Sequence, residues 1–192
     1  MNKILKKWEI IGFIFVVALG SLGHFLYEWT GQNALVGKFF AANESTWEHL
    51  KLLFFPYVIF MIIQWFCIGK NYKGFALAKL IGVLSGMAMI VIIFYTYTGV
   101  IGTSNDFFNI VIFVVSSAFA FYVSFRLLSG GGMKATLKTF SLITFLLVGI
   151  LFVTFTANPP QINLFKDPVT GNYGTQNISD AAGYENYEMK LF

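Results

Sequence analysis

His24 and Glu28 stand four residues apart, and Glu44, Glu48 and His49 follow within one short stretch of the chain. These are residue types that bind cations and move protons. On a helix, a spacing of four puts two side chains on one face, one turn apart. His24 and His49 are both of the histidines in the chain, so a three-histidine metal site is excluded.

Three chemistries fit this group. The first is structural. Ser45-Thr46-Trp47-Glu48 matches the capping box, in which Ser45 caps a helix and Glu48 reaches back to the Ser45 N–H. Lys51, three residues beyond Glu48, is placed to pair with it. The second is a metal site, with His24, Glu28, Glu48 and His49 as the ligand set. Two imidazoles and a carboxylate suit a divalent metal such as zinc, and a further carboxylate would serve as general base of a membrane-embedded hydrolase. The H-E-x-x-H pattern is absent, so spacing alone does not single out this chemistry. The third is binding or conduction of a cation, a proton or a small polar ligand. Ionisable groups at membrane depth pair with one another or line a wet cavity. Tyr95, Tyr97 and Asp106 fall near the same level and extend the candidate ligand-binding set. Their simpler roles are interface anchors for the two tyrosines and a helix cap for Asp106.

The elements that must position these residues are membrane helices. Of 192 residues, 57% are hydrophobic, 19% aromatic and only 11% charged. A soluble domain carries about a quarter charged residues, and half that number does not cover a water-facing surface. The mean hydropathy of +0.70 agrees. Five apolar runs are long enough to span a bilayer, at about 8–29, 45–68, 75–100, 106–128 and 135–156. The expected fold is therefore all-α, a bundle of five transmembrane helices over 1–157, with a polar tail over 158–192.

The first run has a small-x-small step at Ala18-Leu19-Gly20, as a signal peptide would. Its apolar character continues through Leu22, Phe25 and Leu26, so a retained span is expected. Thr30 to Asn43 reads as a loop or a short interfacial helix. Pro56 predicts a kink in the second span. Gly74, Ala78, Gly82 and Gly86 recur every four residues and form a small-residue stripe for close helix approach. A homo-oligomer through that stripe is one use for it. Asn158-Pro159-Pro160 ends the fifth span. The segment 164–168 is placed to fold back over the outer face, and the last dozen residues read as disordered.

The net charge of +4 would suggest nucleic acid in a soluble protein. Here the lysines set topology. With the N-terminus inside, Lys3, Lys6, Lys7, Lys70, Lys73, Lys79, Arg126, Lys134 and Lys138 fall on the inner side, nine of the thirteen basic residues. The lipid bilayer is thus the expected partner, and nucleic acid is not. Eight of the nine acids and both histidines then fall on the outer side. Glu9 is the exception, expected to be solvated at the inner edge. Cys67 is the single cysteine, so no internal disulfide forms.

His24-x-x-x-Glu28-Trp29-x-Gly31 and Asn43-Glu44-Ser45-x-Trp47-Glu48-His49-Leu50-Lys51 resemble a bacterial family of small multi-span membrane proteins, labelled as a domain of unknown function. Tyr95-Thr96-Tyr97-Thr98-Gly99, Asn158-Pro159-Pro160 and Asp167-Pro168-Val169-Thr170-Gly171-x-Tyr173-Gly174 look like its other signatures. The resemblance runs nearly to Gly174. It implies a multi-pass protein of the bacterial plasma membrane, and no activity.

Overall fold

The structure is a computed structural model that describes residues 2–131 and 137–175. Lys134, the expected start of the last span at Ala135, and the tail residues Asp180, Glu185, Glu188 and Lys190 lie outside the described residues. So do the last dozen residues, read from sequence as disordered.

Among the described residues the fold is all-helical. Six α-helices follow one another: α1 (Asn2–Trp29), α2 (Ala34–Phe39), α3 (Thr46–Cys67), α4 (Phe75–Ile101), α5 (Asp106–Ser129) and α6 (Lys138–Ala157). All but α2 are long and apolar enough to cross a membrane. At 1.5 Å of rise per residue, about 20 residues cover the roughly 30 Å hydrocarbon layer. The outside of the bundle is apolar as well. Ile14, Phe66, Ile92, Ile110 and Leu146 are all exposed. In water such a surface would drive aggregation, whereas lipid solvates it.

α3 is the most buried of the five long helices. It packs against α1, α4 and α6, and α5 closes the bundle between α1 and α4. Its middle carries Leu53, Phe54, Tyr57 and Phe60, all at most 3% exposed. Pro56 is accommodated inside α3, which runs unbroken through it. Proline costs a helix one backbone hydrogen bond; the neighbours that pack around α3 offset that loss.

The small-residue stripe works inside the chain. A Cβ on Gly82 would lie 2.7 Å from the Ala120 carbonyl oxygen, and one on Gly86 would lie 2.9 Å from that of Ser116. Ala78 is fully buried. Gly82 and Gly86 therefore lie at the seam between α4 and α5. Gly74 stands apart from it, starting α4 in the left-handed region at φ +69°.

Glu9 and Lys79 also depart from expectation. Glu9 is not solvated: it is 4% exposed, and Lys79 is fully buried. Lys79 Nζ donates to Glu9 Oε1 at 2.7 Å and to Oε2 at 2.8 Å, and Gln64 Nε2 donates to Oε1 at 3.0 Å. The ammonium also lies over the rings of Phe121, Phe75 and Tyr57. Two charges at membrane depth are held only by such mutual satisfaction. This cluster ties α1, α3 and α4 together at the end of the bundle away from the histidines.

Candidate metal centre

The end of α1 carries His24 and, one turn further on, Tyr27 and Glu28. After Trp29 the chain reverses through Gly31 and Gln32, both with positive φ. α2 follows, started by Asn33, whose Oδ1 accepts from the Leu35 and Val36 amides. The chain then bends through residues 42–45 to Ser45. Asn43 Oδ1 accepts the Ser45 N–H at 2.9 Å, a local turn that sets the backbone around Glu44. Ser45 Oγ in turn accepts the Glu48 N–H and caps α3.

This path brings three side chains together. Glu44 lies between the two imidazoles and offers one oxygen to each. His24 Nε2 is 3.7 Å from Glu44 Oε1, and His49 Nε2 is 3.5 Å from Glu44 Oε2. The two rings are 5.2 Å apart, centroid to centroid. All three potential ligand atoms lie within 4.8 Å of one another. Both histidines are about one-third exposed.

Two details of this geometry suit a cation. The His–Glu separations are too long for charge-assisted hydrogen bonds, which close to about 2.7–2.9 Å. Each separation is close to the roughly 3.4 Å between two ligands about 2.1 Å from one tetrahedral ion; the two contacts use different Glu44 oxygens, and the three ligand atoms together lie within 4.8 Å, so the side chains would close in on an ion. Second, His49 Nδ1 lies 2.9 Å from the Ser45 carbonyl oxygen. A carbonyl oxygen only accepts, so Nδ1 carries the proton and Nε2 presents its lone pair towards Glu44. A backbone carbonyl on the far ring nitrogen is the arrangement that orients metal-bound histidines.

The remaining candidates separate. Glu28 is outside the triad. It lines an adjoining cavity of about 250 Å³ with His24, Glu44 and Asp167. Glu48 does not join as a ligand either. It is 2% exposed and forms an ion pair with Lys51, which is fully buried. Glu48 Oε2 accepts the Ala42 N–H at 2.8 Å, and Oε1 accepts from the Thr156 hydroxyl at 3.2 Å. The capping box is thus half formed, because Asn43 has already taken the Ser45 N–H and Glu48 turns to Ala42 instead. Lys51 Nζ also donates to the Gly37 carbonyl at 2.6 Å and to the Thr156 hydroxyl at 2.9 Å. Burial explains the role: these groups fasten α2, α3 and α6 together.

Asp106 is not the cap of α5; Asn105 is, accepting from the Phe107 and Phe108 amides. Tyr97 donates to Asn109 Oδ1 and accepts from the Asn105 amide, so it braces the α4–α5 turn. The Tyr95 hydroxyl accepts from Thr46 Oγ1 at 3.5 Å. Neither tyrosine reaches the triad.

The chain after α6 supplies what the spacing of the helical residues did not indicate. A short 3-10 turn, Asn163–Phe165, seats Phe165 against Trp47, with ring centroids 4.8 Å apart. Lys166 and Tyr173 then pair across a tight loop. Asp167 is 5% exposed. Its Oδ1 accepts from the Val169 and Thr170 amides at 2.7 and 3.2 Å. The D-P-V-T-G turn was legible in sequence, but its place against the histidine end was only a fold-back expectation. Asn43 Nδ2 donates to the Gly174 carbonyl oxygen at 3.4 Å and ties this strap to the loop that carries Glu44.

Five apolar helices with a His–Glu–His triad at one end define a helical protein built for multiple membrane passes, with a candidate cation site. The chain belongs to a family of unknown function, DUF6512, whose model matches residues 1–175. No curated protein and no solved structure matches it.

Proposed function

We propose that this is a multi-pass plasma-membrane protein that binds a divalent transition-metal ion through His24, Glu44 and His49. The N-terminus lies inside by the distribution of lysines, and the site faces out. The observation that carries the reading is the Glu44 carboxylate set between two Nε2 atoms at 3.5 and 3.7 Å, with the His49 ring held by Ser45. Two imidazoles and one carboxylate leave coordination positions free for a small polar ligand. Binding is favoured over conduction. Val16, Leu53 and Phe60, at most 3% exposed, pack in the hydrophobic core of the bundle, where the buried polar side chains include Ser116, Ser117 and Ser124. Metal-dependent hydrolysis is the second reading, favoured by the cavity that sets Glu28 beside the triad, outside the ligand set.

The test is elemental analysis of the purified protein, with zinc titration against a competing chelator. About one ion per chain is expected. His24→Ala, His49→Ala and Glu44→Gln should each lower affinity by more than the roughly 10–100-fold that losing an outer-shell partner costs. Thermal unfolding of each variant without metal checks that it is folded. A wild-type protein that neither carries metal nor gains thermal stability from added zinc would sink the reading.

A further inference from the structure

A cavity of about 420 Å³ lies between α1 and α5, in the part of the bundle away from the histidines. Ile10, Phe13, Ala118, Phe121, Tyr122 and Phe125 form most of its wall, and Lys6 and Glu9 complete it. Ile10 and Tyr122 are 49% and 54% exposed, whereas Phe121 is 3% exposed. The cavity is therefore a groove, with its rim on the outside of the bundle and its floor on the core. Its volume is within the roughly 300–1,000 Å³ of ligand sites.

The charge around the groove is positive. Glu9 is 4% exposed, and Lys79 Nζ already holds its two oxygens at 2.7 and 2.8 Å, so that pair is close to neutral. Lys6 is exposed in the wall. Arg126 touches the wall through Tyr122: its Nη1 donates to the Tyr122 hydroxyl at 3.3 Å, and the guanidinium lies over the ring. Lys3, one turn before Lys6, continues the same face of α1. Among the described residues neither Lys6 nor Arg126 forms an ion pair.

We propose that this groove holds an anionic phospholipid, with one acyl chain along the phenylalanines and its phosphate met by Lys6 and Arg126. The inference rests on the proposed membrane placement of the helices and is independent of the metal. Apolar walls take an acyl chain without stranding a polar group. Two basic side chains without acidic partners select the head. A guanidinium pairs with phosphate through two parallel N–H bonds, and basic pockets between membrane helices favour anionic heads. A zwitterionic head brings an ammonium that finds only Glu9 in this wall, and Glu9 is taken. Lys6 is near the start of α1 and Arg126 near the end of α5, so the lipid belongs to the leaflet at the N-terminal end of the bundle.

Photolabelling in phosphatidylcholine nanodiscs tests this. The probe is phosphatidylglycerol with a diazirine on one acyl chain, and labelled peptides are mapped by mass spectrometry. Labels are expected on the α1 and α5 segments that contain Ile10, Phe13, Tyr122 and Phe125. Phosphatidylcholine carrying the same diazirine should label them at least tenfold less. Lys6→Gln combined with Arg126→Gln should lower the phosphatidylglycerol labels about tenfold. Lys70→Gln, an exposed lysine outside the wall, should leave them unchanged. Ala118→Trp fills the groove and should abolish the labels; Ala118→Leu is the milder second variant if the first does not fold. Equal labelling by the two lipids would overturn the inference. So would equal losses in Lys70→Gln and the double variant, which would reduce the effect to general surface charge. The phosphatidylcholine probe should also mark lipid-facing residues such as Ile92 and Leu146. Absence of those marks would refute the membrane placement, and this inference with it. Zinc content read on the same samples bears on the triad alone.

Discussion

Glu44 and Glu48 are four residues apart and do opposite things. Glu44 is about half exposed and opens its carboxylate to two imidazoles. Glu48 is 2% exposed and pairs with Lys51. The helix start at Thr46 separates them: Glu44 precedes it in the bend over residues 42–45, and Glu48 lies in the first turn of α3. One carboxylate is thereby free to bind a ligand, and the other holds the scaffold.

Charge removal at the two positions should therefore give different phenotypes. Glu44→Gln should reduce zinc affinity and leave the unfolding temperature without metal nearly unchanged. Glu48→Gln should leave the ligand set intact but strand the Lys51 ammonium, a loss of about 3–5 kcal/mol for a buried pair broken on one side. The check is chelator-competition titration beside thermal unfolding in detergent. Glu48→Gln losing zinc without losing stability would contradict the assignment.

The Glu9–Lys79 pair allows a double-mutant test. Lys79→Met alone leaves Glu9 buried beside Gln64 without its counter-ion, and should cost about 3–5 kcal/mol. The double variant Glu9→Leu with Lys79→Met should recover most of that loss, because it removes both desolvated charges together. Denaturant or thermal unfolding in one detergent measures all four corners. Additive losses would show that the pair is not coupled. Zinc affinity should not change, since the pair lies at the other end of the bundle.

Glycine positions on α4 should divide by their surroundings. Gly82→Ala drives a Cβ to 2.7 Å from the Ala120 backbone oxygen, so α4 and α5 must separate. Overpacking of that kind costs about 1–3 kcal/mol. Gly99 meets nothing within 4 Å, and Gly99→Ala should be neutral or stabilising by up to about 1 kcal/mol. Thermal unfolding of the two variants side by side is the measurement. Equal effects would mean that the seam is not tight.

The sequence by itself determined the fold class, because lipid solvation demands long apolar runs and forbids scattered charge, and both are local properties of the chain. It also placed His24, Glu44 and His49 within reach of one another, since a short connection between two antiparallel helices leaves little choice. What it left open was which carboxylate serves. H-x-x-x-E spacing drew attention to Glu28, and the capping box drew it to Glu48, yet neither is in the triad. Those outcomes depend on Asn43 taking the Ser45 amide, on Lys51 reaching Gly37 and Thr156, and on a strap that returns Asp167 from beyond the last helix. Glu9 was misplaced for the same reason. Its solvent is not set by its neighbours in sequence but by Lys79, seventy residues away, which arrives only when α1 and α4 meet across α3. Burial of a polar group is a property of the packed bundle, so tertiary structure alone decided which charges became scaffold and which remained free to bind.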